Sequence, residues 1–382
     1  MPPPLSLYLH FPWCVKKCPY CDFNSHALQG KLPEKAYIAA ILRDLDYALA
    51  CGLFAEREIG SIFMGGGTPS LFSTESLHGL LGIIRERLSL MQDVEITLEA
   101  NPGTLRESLA ENKLIAFRSA GVNRLSIGVQ SFDSAGLLAL GRIHNGNEAR
   151  EAARLAARHF PRVNLDLMYG LPGQTLSGAL EDMEIALAVG ATHLSCYQLG
   201  TEPHTLFAKS PPPDLPDPDQ CADMGEAIEA RLTEAGFLHY EISAFARPGF
   251  ACLHNLNYWQ FGDYIGLGAG AHSKLSLPSG VFRQTRKRQP EAYMAAKGEA
   301  METEIRVSEA ELPFEFLMNA LRLVDGFSPR LFVERTDLPL SEIMSRLEEA
   351  QADGLLIITP ERILPTRVGR RFLNRLLLRF LP

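Results

Sequence analysis

Three cysteines lie close together near the start of the chain, with the spacing C-x3-C-x2-C. They are Cys14, Cys18 and Cys21, in the string HFPWCVKKCPYCDF. A 4Fe–4S cluster has four irons and usually takes four thiolates, so three thiolates leave one iron open to a small ligand. Zinc is the alternative, but it usually needs a fourth Cys or His, and His10 and His26 are the nearby candidates. The clustered spacing favours an iron–sulfur site over zinc or incidental core cysteines.

Seven further residues are suited to binding a charged ligand. In chain order they are Gly66, Gly67, Thr68, Glu99, Gln130, Arg142 and Asp166. Glycines let a backbone approach a ligand closely, and a carboxylate within an apolar run needs a cation or hydrogen-bond donors. An amide both donates and accepts, and a guanidinium can bind a carboxylate through two parallel bonds. Each residue alone is more often a loop or cap residue, so only their joint placement indicates a site.

Alternating strand-like and helix-like segments must position these residues. Strands are predicted at 5–11, 61–67, 94–102, 124–132, 162–173 and 193–200, and helices at 34–51, 76–88, 105–119, 147–159 and 176–189. This alternation predicts right-handed βαβ units around a parallel sheet. Because barrels of this kind carry their sites at the C-terminal ends of the strands, the cysteines and the polar residues are expected to meet at one mouth.

The cysteine string resembles the signature of the radical S-adenosylmethionine (SAM) superfamily. In that family SAM binds the open iron through its amino and carboxylate groups, and an electron from the cluster splits SAM to a 5′-deoxyadenosyl radical. The resemblance implies an α/β fold, a partial (β/α)6 TIM-like radical SAM barrel with a C-terminal α+β winged-helix-like domain. It also implies SAM contacts at Tyr8, Gly66, Gly67, Thr68, Glu99, Gln130, Arg142 and Asp166, with Tyr20 and Phe23 packed on adenine or the cluster.

Further strings narrow the resemblance to the anaerobic coproporphyrinogen III oxidase-like family. They are YLHFPWC, GGGTPS, EANPG, GVQSF, LGRIHN and NLDLMYGLPGQT, and the similarity covers nearly the whole chain. The oxygen-independent oxidase, a radical decarboxylase of heme synthesis, has a fourth cysteine two residues after the third and an extension ahead of the cluster loop. Here Phe23 stands at that position, and Cys14 is only the fourteenth residue. The resemblance therefore implies the heme chaperone branch, with the oxidase as the alternative. No catalytic residue is assigned, and whether the chain is an enzyme stays open.

The segment HNLNYW, residues 254–259, matches an HNxxYW pattern of the chaperone branch. By this resemblance His254 is the candidate heme ligand, oriented by Asn255, while Tyr258 and Trp259 pack on the porphyrin. The alternative is a structural His254 that caps a helix, and His272 is the less favoured ligand. The resemblance implies heme-requiring respiratory proteins as acceptors, and it allows a homodimer whose formation is coupled to SAM.

The chain is predicted to have three parts: a core barrel at 1–245, a connecting segment at 246–300, and the C-terminal domain at 301–382. Five arginines lie near the end of the last part: Arg367, Arg370, Arg371, Arg375 and Arg379. Their favoured interpretation is the solvated face of a packed amphipathic helix. Peripheral contact with an anionic membrane is the next alternative.

Composition sets further bounds on the 382-residue chain. The formal net charge is −8 and the pI about 5.7, an acidic balance that argues against a nucleic-acid partner. Neither a signal peptide nor an apolar stretch of membrane-spanning length is predicted. Four cysteines are scattered and read as free thiols, which indicates a reducing, cytoplasmic location. They are Cys51, Cys196, Cys221 and Cys252.

Overall fold

The computed structural model describes residues 2–54, 57–105, 110–297 and 300–382. Within these ranges its main feature is one sheet of twelve strands. In chain order the strands are β1 (Leu5–Phe11), β2 (Ile59–Gly66), β3 (Leu90–Ala100), β4 (Arg124–Gln130), β5 (Arg162–Tyr169), β6 (His193–Gln198), β7 (Leu238–Glu241), β8 (Ala244–Ala246), β9 (Asp263–Leu267), β10 (His272–Leu277), β11 (Gly280–Arg286) and β12 (Met301–Arg306).

The six parallel strands β1 to β6 lie side by side in chain order. The full order across the sheet is β12-β11-β10-β9-β1-β2-β3-β4-β5-β6-β8-β7. Each pair from β1–β2 to β5–β6 is parallel, as βαβ connections require. The predicted α/β fold with a partial (β/α)6 barrel is confirmed.

Helices connect the strands and flank the sheet. They are α1 (Glu34–Ala50), α2 (Thr74–Arg87), α3 (Ala110–Ser119), α4 (Ser134–Ala139), α5 (Gly146–His159), α6 (Leu176–Ala188), α7 (Leu206–Lys209), α8 (Pro218–Glu234), α9 (Leu253–Trp259) and α10 (Pro290–Ala295). The start of the helix predicted at 105–119 lies partly outside the described residues. Local sequence fixes several of the helix starts. Asn145 and Glu148 form a capping box at α5, and Asp217 and Gln220 form one at α8.

The main core lies between the strands and the flanking helices. Leu7, Ile62 and Leu165 of the strands are fully buried, as are Ile41 of α1 and Leu81 of α2. Burying an aliphatic side chain of this size contributes about 1.5–3 kcal/mol. This apolar layer leaves the carboxyl ends of the strands free to carry polar groups.

The segment predicted as a connection at 246–300 contributes three strands to the sheet. Strand β9 pairs in parallel with β1, and β10 and β11 extend the sheet in antiparallel fashion. Pairing continues past 300, because β12 runs antiparallel to β11. Buried ion pairs hold these strands: Lys274 Nζ lies 3.1 Å from Asp263 Oδ1, and Arg286 Nε lies 3.0 Å from Asp44 Oδ1. The division of the chain at 245 and 300 stays a prediction.

The C-terminal part has its own apolar core. Its elements are α11 (Leu312–Ala320), α12 (Pro329–Thr336), α13 (Ser341–Ala352), the hairpin β13 (Leu356–Ile358) and β14 (Ile363–Pro365), α14 (Arg367–Arg371) and α15 (Leu373–Leu377). Phe316 is the centre of this core, in edge contact with Phe327 and Phe332. Phe261, which precedes β9, packs against the same ring, so the module continues from the sheet.

Three of the five C-terminal arginines form ion pairs with helix α8. Arg367 and Arg371 lie 3.5 Å and 3.1 Å from Glu226 of α8, and Arg370 lies 3.5 Å from Glu229. These pairs tie the C-terminal module to the barrel helix α8. No helix among the described residues is both long and apolar enough to cross a bilayer.

Candidate cluster and cofactor site

The three cysteines lie on one loop between β1 and α1. A short ladder closes this loop: residues 13–14 pair in parallel with residues 26–27. The amide of His26 donates to Pro12 O and the amide of Leu28 donates to Cys14 O. All three thiols are partly buried and line one cavity, the cluster cavity, which also contains Gly66, Gly67, Thr68, Glu99, Gln130, Arg142 and Asp166. The structure thus brings together most of the residues that the sequence singled out.

The glycine run after β2 packs directly on the cysteine loop. The amide of Gly67 donates to Phe11 O at 2.7 Å, and that of Thr68 donates to Trp13 O at 2.8 Å. A Cβ on Gly67 would lie 2.6 Å from Trp13 O, closer than real side-chain atoms come to a backbone. Gly66 has φ +111°, a region that L side chains rarely adopt. Glycine is therefore required at these two positions.

Two carboxyl groups face the cluster cavity, Glu99 from β3 and Asp166 from β5, with β4 between these two strands. Burial, and then the charge of Asp166, raise the pKa of Glu99 to about 8. Burial also raises the pKa of Asp166, although Asn164 donates to its Oδ1 at 2.8 Å. A cationic ligand near both carboxyl groups would lower their raised pKa values and so favour the ionised carboxylates.

Arg142 connects the cysteine loop with the wall of the cavity. Its Nη2 donates to Gly128 O at 2.6 Å, and its Nη1 lies 3.5 Å from Cys18 Sγ and 3.4 Å from the Tyr20 hydroxyl. Its Nε is buried and has no hydrogen-bond partner within the described ranges. An unpaired buried donor of this kind is costly unless a ligand completes it.

Gln130 ends β4 in a conformation that the sequence did not indicate. Its φ is +70°, which is rare for a residue other than glycine, and the pairing register with β5 shifts at this point. Such strain is found most often at functional sites. It places the amide in the cluster cavity.

A second cavity of about 630 Å³, the side cavity, adjoins the first. The two share Phe23, Gly66 and Glu99. Tyr8, expected to contact SAM, lines the side cavity instead, and its hydroxyl is 3.0 Å from His10 Nδ1. Sequence reasoning did not single out Tyr264, Thr285, Arg288 or Glu302 of this wall. The strands β9 and β11, which carry Tyr264 and Thr285, were not predicted.

His254 lines neither the cluster cavity nor the side cavity. Its side chain is 1% exposed, its Nδ1 lies 2.9 Å from Ser61 Oγ, and its Nε2 lies 2.8 Å from the Tyr258 hydroxyl. Burial lowers its pKa to about 3. Both ring nitrogens are engaged, so in this conformation the predicted heme contact at His254 is not met. The ring's partners also differ from Asn255, which was expected to orient it.

The aromatic residues after His254 have separate environments. Tyr258 lines the side cavity, in edge contact with Tyr264 at 4.5 Å between ring centroids. Trp259 instead packs on the guanidinium of Arg322, 4.3 Å from the ring centroid. Only the first of the two rings predicted to pack on a porphyrin therefore faces a cavity.

His10 is not available as the fourth ligand of a zinc site. Its Nε2 lies 2.9 Å from Asn24 O, and its Nδ1 is engaged by Tyr8. Among the described residues, no group of three or more His, Cys, Asp or Glu is arranged around a single ion position.

Comparison with known proteins identifies the family. The model of the Radical SAM superfamily matches residues 8–186, and that of the HemN C-terminal domain matches residues 307–372. The chain is 49% identical to the Heme chaperone HemW of Escherichia coli (strain K12), over 99% of this chain and 98% of that one. The chain belongs to the HemW family of radical SAM proteins. It is also 45% identical to the Heme chaperone HemW of Haemophilus influenzae over 99% of this chain and 98% of the relative.

A solved structure shares the fold of this chain. The structure of the coproporphyrinogen III oxidase HemN from Escherichia coli matches with a TM-score of 0.82 and 23% identity, covering 99% of this chain and 90% of that one. Membership in the radical SAM superfamily implies a 4Fe–4S cluster and SAM as cofactors. The site fits both groups. It offers three thiols on one loop, two buried carboxyl groups that a cation would stabilise, and a buried Arg142 Nε without a hydrogen-bond acceptor among the described residues.

Proposed function

We propose that this protein is a heme chaperone, which binds a 4Fe–4S cluster and SAM and delivers heme to heme-requiring proteins. The observation that carries the proposal is the 49% identity to a HemW protein along both entire chains. Phe23 adds to it, because a fourth cysteine at that position would point to the oxidase branch. We place the protein in the cytoplasm, with respiratory heme proteins as its acceptors, and we allow for dimerisation and peripheral membrane contact.

Each part of the cluster cavity has a role in this proposal. Cys14, Cys18 and Cys21 hold the cluster, whose open iron supplies the coordination position for SAM. Glu99 and Asp166 face the cationic groups of SAM. A positive charge would stabilise both carboxylates, and their places on β3 and β5 are fixed by the sheet before any ligand binds.

The remaining residues orient and enclose the ligand. Arg142 and Gln130 offer further hydrogen bonds within the cluster cavity, and the backbone of Gly66, Gly67 and Thr68 allows a close approach. Tyr20 and Phe23 cover the loop, with Tyr20 held by Arg142 and by Phe207 at 6.3 Å between ring centroids.

Anaerobic reconstitution of the full chain tests the proposal. We expect about four irons per chain, stoichiometric heme binding, and transfer of that heme to the apo form of a respiratory heme protein. Cys14→Ser should lose the cluster, while Cys51→Ser, which changes an exposed thiol outside the loop, should keep it.

A parallel assay addresses the alternative enzyme. The reconstituted protein is incubated with reductant, SAM and coproporphyrinogen III, and protoporphyrinogen IX is measured. Little or no product is expected. Robust turnover, or failure of the wild-type protein to bind heme, would overturn the proposal in favour of the oxidase or a different cargo.

A further inference from the structure

The side cavity has the size and the walls of a site for a flat aromatic ligand. Its volume of about 630 Å³ lies within the ~300–1,000 Å³ usual for ligand sites. Tyr8, Tyr258 and Tyr264 supply ring surface on its inner side. Tyr258 and Tyr264 meet edge to face, which fixes both rings before a ligand binds.

One histidine in this region has a free ring. His10 is engaged by Tyr8 and Asn24, and His254 by Ser61 and Tyr258. His272, on β10, lines the side cavity and is exposed, and no hydrogen bond to its ring is found among the described residues. Its backbone is fixed by the register of β10 against β11, in which it stands opposite Thr285. It thus combines a rigid position with an available imidazole.

The side cavity is lined by charges of both signs. Arg288, also exposed, is the cation among its described lining residues, while Asp22, Glu99 and Glu302 are its acids. A planar ligand with carboxylates at one edge would place that edge on Arg288, since a guanidinium pairs well with carboxylate. A carboxylate placed against Asp22, Glu99 or Glu302 would be disfavoured, because like charges repel.

We propose that heme binds in the side cavity, with its iron ligated by His272 and a propionate on Arg288. The inference rests on the proposed function and specifies its cargo site. Imidazole is a common axial ligand of heme iron, and the lining rings bury the porphyrin faces. Heme placed here lies beside the cluster cavity, separated from it by Phe23, Gly66 and Glu99.

Hemin titration of the reconstituted full chain tests the ligand. His272→Ala should weaken hemin binding about tenfold or more and remove the histidine-ligated absorption spectrum. Added imidazole should restore that spectrum. His78→Ala, which removes an exposed histidine on α2, should match the wild type. Metal-free protoporphyrin IX should bind the wild type and His272→Ala alike, because it has no iron to ligate.

A second pair of variants tests the cavity itself. Thr285→Trp fills the side cavity and should block both hemin and protoporphyrin IX, whereas Leu277→Trp, at the exposed far end of β10 and outside the lining, should not. If the wild type binds hemin and His272→Ala gives the same spectrum and affinity, the assignment of His272 is wrong while the chaperone proposal stands. If the wild type binds no hemin, both proposals are wrong.

Discussion

The backbone amide of Gly66 donates a hydrogen bond to the Glu99 carboxylate, with 3.0 Å between the nitrogen and Oε2. This contact joins the ends of the neighbouring strands β2 and β3 at the wall between the cluster cavity and the side cavity. It holds an acid whose pKa is raised to about 8 against a glycine loop that itself packs on the cysteine loop. The position of Glu99 is therefore fixed independently of any ligand.

We expect SAM binding to depend on the ionisation of Glu99. Above its raised pKa the group is a carboxylate that attracts the cationic ligand, so SAM affinity should increase as pH rises from 6.5 through about 8. Glu99→Gln should weaken SAM binding about tenfold and flatten this pH profile. Isothermal titration of the cluster-loaded protein measures both effects. An unchanged profile in the variant would remove Glu99 from the site.

Gly67→Ala should disrupt the cysteine loop. The new Cβ would lie 2.6 Å from Trp13 O and 2.8 Å from Phe11 O, and backbone atoms cannot move aside cheaply. We expect a loss of about 1–3 kcal/mol in unfolding free energy and poor cluster assembly, measured by urea denaturation and iron content. Gly79→Ala is the matched control, because nothing lies within 4 Å of its added Cβ on the helix α2. It should stabilise by about 0.5–1 kcal/mol. Equal behaviour of the two variants would contradict the packing argument.

His254→Ala should lower stability rather than alter heme ligation. The change removes the His254 partner of the Tyr258 hydroxyl and one of the two partners of the Ser61 hydroxyl, which keeps Ser6, and an unsatisfied buried group costs about 1–3 kcal/mol. Thermal or urea unfolding should show this loss. The spectrum of bound hemin should keep its histidine-ligated form. Loss of that form in a folded variant would restore His254 as the ligand.

Lys274→Met should destabilise the added strands of the sheet. Lys274 is 1% exposed and bonds to Asp263 and Phe261 O, so its removal leaves buried acceptors unpaired. Breaking a buried pair costs about 3–5 kcal/mol, although Arg57, 2.9 Å from Asp263, will offset part of this. Arg330→Met removes an exposed pair with Glu334 and should change the unfolding free energy by about 1 kcal/mol or less. Similar losses in both variants would show that burial of the pair is not decisive.

The sequence predicted the six parallel strands because each is followed by a helix with an apolar face, a pattern that few folds satisfy. It did not predict β9 to β11. Charged residues such as Asp263, Lys274 and Arg286 are mostly exposed in proteins, and only the structure reveals that Asp263 pairs with Lys274 and Arg286 with Asp44 in the interior. An ion pair between residues that are distant in sequence produces no local pattern in the amino-acid sequence.

For the same reason, only some parts of the site could be predicted from the sequence. The cysteines follow β1 and Glu99 lies one residue before the end of β3, so topology alone brings them together, whereas Asp166 lies within β5. Tyr8 lies within a strand, and the sequence could not show that it would line the side cavity. His254 matches a motif, but its availability depends on Ser61, nearly two hundred residues away, and on the turn that brings Tyr258 back to it.

Phe23, Gly66 and Glu99 belong to both cavities, and this shared wall has a thermodynamic consequence. An occupant on one side that changes the charge or position of Glu99 must alter the affinity on the other side. Linkage is reciprocal, so each occupant shifts the binding of its neighbour by the same factor. Heme binding and SAM binding are then coupled through the single carboxyl group of Glu99, without any large rearrangement of the sheet.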